Sequence, residues 1–134
     1  MLFVTVLLDF TFSFSPLTFL PIHLFTYSPI SIMAIAEVSI VPLGTGTVSV
    51  SEYVAGAIEE LQKTGLSYRL TPMGTIIEGD LDAVLSAIRK MHETPFSKGV
   101  QRVYTTIKLD DRRDRPVQMS EKVQSVEKKL AQKK

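Results

Sequence analysis

"LSYRLTPMGTIIEGD", residues 66–80, is the stretch on which the fold turns. Thr71-Pro72-Met73-Gly74 suits a type I turn, with proline at the second position and glycine at the fourth. The flanking runs 66–70 and 75–79 are short and apolar, so the whole reads as a β-hairpin. Asp80 then stands where a side chain caps a helix. Two threonines and Glu78 sit among the hairpin's apolar residues, which raises a question of chemistry as well as of fold.

Upstream, "AIAEVSIVPL" (34–43) alternates. Ala36, Val38 and Ile40 take one face and Glu37, Ser39 and Val41 the other, the period of a strand. After the "GTGT" loop (44–47), Ser49 and Glu52 have capping-box spacing. Val54, Ala57, Ile58 and Leu61 follow at helical spacing, and Gly65 suits a left-handed helix end.

Downstream, Leu81, Val84, Leu85, Ile88 and Met91 form a second helical stripe, which Pro95 is expected to stop. "QRVYTTIKLD" (101–110) alternates again, with Val103, Thr105, Ile107 and Leu109 on one face. Beyond the charged "DDRRDR" (110–115), a last helix carries Met119, Val123, Val126 and Leu130. The order is β-α-β-β-α-β plus a C-terminal helix, the split βαβ arrangement: a four-stranded antiparallel α+β sheet with two helices on one face. Ser39, Val41, Arg69, Tyr104 and Thr106 would lie on the other face, a mixed surface suited to self-association.

The chain has 134 residues and a formal charge of +1, with no cysteine or tryptophan. One domain is the expectation, with no strong field for nucleic acid and no disulfide or thiolate site. Residues 1–32 differ from the rest: they are rich in Phe, hold Asp9 as their one acid, and contain no Lys or Arg. Asp9, Pro16 and Pro21 interrupt the run that a membrane helix needs. A secretory signal lacks its positive start, although Ala34-Ile35-Ala36 has the pattern of a cleavage site. The third reading places 1–32 outside the fold, with residues 33–134 as the domain.

Four separated stretches agree with a known family in order and spacing: "VPLGT", "VSEYVA", "YRLTPMGTIIEG" and "RVYTTIKLDDRRD". Over Met33–Lys134 the chain resembles the small thiamine-binding proteins. The resemblance implies a ferredoxin-like fold and homo-oligomers built as pairs of dimers. It also implies non-catalytic binding of thiamine or its hydroxymethylpyrimidine part, as a cytoplasmic carrier, buffer or sensor without a cofactor. The alternative is an oligomerisation module with no small ligand. The site implied lies at the hairpin turn and the first helix start. Glu78 would be the polar anchor for the aminopyrimidine or thiazolium, beside Thr45, Ser51, Thr71 and Thr75 as hydroxyls, Met73 as a soft contact and Tyr53 as a stacking ring. Each also has a structural reading, as strand former, turn packing or core cover. Arg102, Tyr104, Asp110, Arg112, Arg113 and Asp114 are expected at a subunit interface, as reciprocal Arg–carboxylate pairs.

Other chemistries lack their residues. "GTGT" has no phosphate-loop lysine, and His23 and His92 belong to no metal motif. No nucleophile elbow is visible. Tyr104 is the main aromatic available to an RNA-binding sheet, too few for that role.

Overall fold

The computed structural model describes residues 33–133. The reading of the 1–32 segment falls outside the described residues. The elements are β1 (Met33–Leu43), α1 (Ser51–Gln62), β2 (Ser67–Thr71), β3 (Gly74–Gly79), α2 (Leu81–Ser97), β4 (Arg102–Arg112) and α3 (Met119–Ala131). The sheet order is β2-β3-β1-β4, with β1–β3, β1–β4 and β2–β3 all antiparallel. This is the ferredoxin-like α+β arrangement.

Register follows the alternation. Ala36 lies opposite Ile77 and Leu109, and Val38 opposite Thr75 and Ile107. Ala36, Val38 and Ile77 are buried beneath the helices with Ala57, Leu61, Val84, Ala87, Ile88 and Met91. The intervening rows, Glu37–Lys108 and Val41–Tyr104 among them, occupy the opposite face. Asp80 caps α2 by accepting from the backbone N–H of Asp82 and Ala83. His92 Nδ1 lies 2.7 Å from Thr105 Oγ1 and ties α2 to β4. Among the described residues, no helix is long and apolar enough to cross a membrane.

Two local expectations are corrected. Pro95 does not stop α2, which runs on to Ser97. A proline there deprives the Met91 carbonyl of its usual N–H donor, but the Thr94 hydroxyl donates to that oxygen at 2.8 Å. Pro95 itself is buried. The capping box at Ser49 does not form either. Ser49 N–H donates to Thr47 Oγ1, its hydroxyl lies 3.1 Å from that of Ser51, and the helix starts at Ser51 with Val50 as N-cap. The Val50 carbonyl accepts from both Tyr53 and Val54 N–H, so the first turn closes without a side-chain cap.

Candidate functional site

Where the β2–β3 hairpin bends beside the first turns of α1, sheet and helices leave a cleft of about 300 Å³. That volume is at the lower end of small-molecule sites, roughly 300–1,000 Å³. Val50, Val54, Ala57 and Ile58 form the helical wall and Val38–Val41 the strand wall, with Leu70–Thr75 along the hairpin side and Met91 from α2. The wall has a simple origin. The stripe of α1 faces the sheet, and small Ala57 sits where a larger side chain would fill the space.

The hairpin is held hard against β1. A Cβ at Gly74 would lie 2.9 Å from the Val38 carbonyl oxygen, so only glycine permits this approach. The Thr71 hydroxyl donates to the Gly74 carbonyl at 2.9 Å and accepts from Gly74 N–H at 3.1 Å, which locks the turn. Thr75 is 4% exposed and lines the cleft. Met73 (83% exposed) and Leu70 (56%) form an open apolar rim. Among the described residues, no ionisable side chain lines the cleft, which offers hydroxyls from Thr71 and Thr75 and thioethers from Met73 and Met91. Such a lining suits a flat ring with a few polar edge atoms.

The expected ligand residues are therefore distributed, not gathered. Thr71, Met73 and Thr75 reach the cleft. Thr45 and Tyr53 line a separate depression of about 560 Å³ with Lys98 and Arg102. Ser51 is exposed at the helix start, its hydroxyl against that of Ser49.

Glu78 lies away from the cleft. It is three residues beyond Thr75, about 10 Å along the strand, and an odd spacing turns it to the opposite face of the sheet. There it is sheltered, 9% exposed, and its Oε2 accepts the Met119 backbone N–H at 2.7 Å. The carboxylate thus satisfies a free donor at the α3 N-terminus, where the helix dipole also favours negative charge. Its place among apolar neighbours is explained by the start of α3, which meets this face at Met119.

The acid–arginine cluster is paired within the chain. Arg112 holds Asp114 through two bonds of 2.5 and 2.7 Å, Arg113 holds Asp111 at 2.8 Å, and Lys122 of α3 pairs with Asp110. Arg102 is not near them, since it sits at the opposite end of β4 beside Leu43. Tyr104 is 63% exposed on the open face.

The hydrogen bond from Arg112 holds the Asp114 carboxyl down at about 2, below its ordinary 3.8. A lowered folded-state pKa stabilises the fold above the ordinary value, and that contribution is lost as pH falls through the folded one. In an NMR titration, Asp114 should therefore titrate near 2, and Arg112→Gln should return it towards 3.8.

Sequence reasoning missed Ser39, Val41, Val50, Val54 and Leu70 as cleft residues. The helical stripe signalled Val54, but only the start of α1 at Ser51 shows that Val50 and Val54 stand clear of the core at the mouth.

A family model described as thiamine-binding protein matches residues 36–127. The chain belongs to the thiamine-binding protein family. The UPF0045 protein YqgV of Bacillus subtilis is 49% identical over 102 residues, covering 73% of this chain and 98% of the relative. A UPF0045 protein of Methanothermobacter thermautotrophicus is 44% identical over 99 residues, covering 73% and 100%. Among solved structures, the hypothetical protein MJ1052 of Methanocaldococcus jannaschii superposes with a TM-score of 0.65 at 41% identity, covering 70% of this chain and 95% of that one. A Thermotoga maritima protein, named a candidate for thiamine biosynthesis or salvage, shares the fold at a TM-score of 0.59 and 18% identity, covering 70% and 98%. Membership of the thiamine-binding protein family accords with a cleft suited to a small ring.

Proposed function

We propose that this protein is a non-catalytic binder of thiamine or its hydroxymethylpyrimidine part, serving as a carrier, buffer or sensor. The observation that carries the reading is the apolar cleft with Thr75 at its wall, in a chain of the thiamine-binding protein family. A pyrimidine ring lies between the α1 wall and the hairpin, its faces against aliphatic and thioether groups, and Thr75 meets a ring nitrogen or the exocyclic amine. The absence of an ionisable group in the lining supports binding over acid–base chemistry there. It also favours the neutral pyrimidine, not the thiazolium, as the part held inside.

Thermal shift against thiamine, its phosphates and hydroxymethylpyrimidine tests the reading. A ligand at 100 times its dissociation constant stabilises the fold by about 2.7 kcal/mol. Thr75→Val keeps the shape and removes the hydroxyl. It should weaken the ligand by about 1 kcal/mol, the net value of one neutral hydrogen bond, or roughly fivefold in calorimetry. Unchanged affinity would take Thr75 out of the site.

A homo-oligomer, as pairs of dimers, belongs to the same proposal. It is supported by the open sheet face with exposed Val41 and Tyr104, and by the α3 stripe of Val123, Val126 and Leu130, all exposed. Analytical ultracentrifugation giving only monomer at micromolar concentration would contradict it.

A further inference from the structure

The depression beside Tyr53 has its own character. Among the described residues, its lining includes Lys98 and Arg102 and no acidic residue. Neither cation takes part in an ion pair among the described residues. Lys98, just past the end of α2, reaches back over the start of α1. Its Nζ donates to the Glu52 carbonyl at 2.9 Å and stands 5.7 Å from the centre of the Tyr53 ring.

Gly56 leaves room for this reach. A Cβ at that position would lie 3.3 Å from Lys98 Nζ. A glycine inside a helix is unfavourable relative to alanine, and here its vacancy lets the ammonium settle across the helix. A carbonyl and a ring face therefore place one cation, over a glycine that leaves it room. Two of its three N–H donors stay free for another acceptor. Arg102 adds a planar fork of donors from the start of β4.

This basic depression is joined to the cleft. A shallow groove along residues 41–50 shares Val41 and Val50 with the cleft, and Leu43, Gly44 and Thr45 with the depression. Val41 and Leu43 are two residues apart on one strand, about 7 Å. A molecule with its ring in the cleft and an anionic arm directed along this groove would carry the arm towards the depression that Lys98 and Arg102 line.

We infer that the depression formed by Lys98, Arg102, Tyr53 and Thr45 is a phosphoryl-binding subsite, so that the preferred ligand is a phosphate ester of the ring compound held in the cleft. This rests on the proposed ring site for the identity of the ligand, but the anion site itself has an independent test. Lys98 supplies a preset point charge and Arg102 the bidentate contact, while the Tyr53 hydroxyl is within the same lining as a further donor.

Calorimetry at one low ionic strength, where screening is weak, would compare thiamine with thiamine monophosphate. The ester should bind about tenfold tighter or more, the value of a charge-assisted hydrogen bond. Lys98→Gln combined with Arg102→Gln should erase that preference and leave thiamine itself unchanged; both side chains are exposed, so the fold should survive. Inorganic phosphate alone, followed by NMR, should shift the Tyr53, Gly99 and Arg102 amides in the wild type and not in the double variant. If thiamine fails to bind but phosphate produces these shifts, the ring reading falls and the anion subsite stands. Equal affinities for ester and thiamine in the wild type, or a preference that survives the double substitution, would overturn the inference.

Discussion

Met91→Ala is expected to destabilise the protein by about 2–5 kcal/mol, the range for deleting a large buried side chain. Met91 is 2% exposed, packs in the core among Leu61, Val84 and Ile88, and also faces the cleft. Deleting its thioether removes apolar burial and opens a void that joins the cleft. Denaturant unfolding should show a lower midpoint at unchanged slope, the signature of lost stability without a changed unfolded state. The same substitution should weaken the ring ligand, because one polarisable contact and part of the cleft wall are gone. A loss well below 1 kcal/mol would mean that α2 can close the gap and that the wall is softer than its packing implies.

Glu78→Ala should cost about 1.5–3 kcal/mol, the value of a hydrogen bond to a charged group. The effect should concentrate on α3. That helix has 13 residues, none of them buried, and an isolated helix of such length is marginal in water. Its other attachment, the Lys122–Asp110 pair, is largely exposed, and exposed pairs contribute little. Amide hydrogen exchange along Met119–Val123 should therefore accelerate in Glu78→Ala while the core amides of β1 and β3 stay protected. Affinity for thiamine should remain within about twofold, since Glu78 is on the far face of the sheet from the cleft. A large loss of ligand binding with intact α3 protection would return Glu78 to the binding site.

These two residues illustrate what was legible in the sequence. The hairpin, the alternation of β1 and β4 and the stripes of α1 and α2 were readable because each is a local pattern of period two or 3.6. The topology followed from their order. Pro95 misled because its effect on the helix depends on whether another donor reaches the Met91 carbonyl, and Thr94 does so only once the helix has formed. The side of the hairpin that meets the cleft was legible in part. Thr71, Met73 and Thr75 are there.

Glu78 shares a strand with Thr75, and its polarity among apolar neighbours attracted the same explanation. They are three positions apart, an odd offset, so the pleat sends them to opposite faces. Its actual partner, the Met119 N–H, lies 41 positions away along the chain, beyond any local pattern. The same holds for Lys98, whose contact with Glu52 spans 46 positions and lies over Gly56. The Arg–Asp pairs at the end of β4 lie two residues apart within the chain, a pairing that side-chain conformation decides and no periodicity announces.

The most direct measurement of the central claim is an NMR titration of isotope-labelled protein with thiamine and with hydroxymethylpyrimidine. Saturable shifts should appear at the Thr71–Thr75 amides and at the Val54, Ala57 and Ile58 methyls, with Glu78 and Met119 left in place. No saturable shift with either compound, or shifts centred on Glu78 and the start of α3, would contradict a ring site between the hairpin and the first helix.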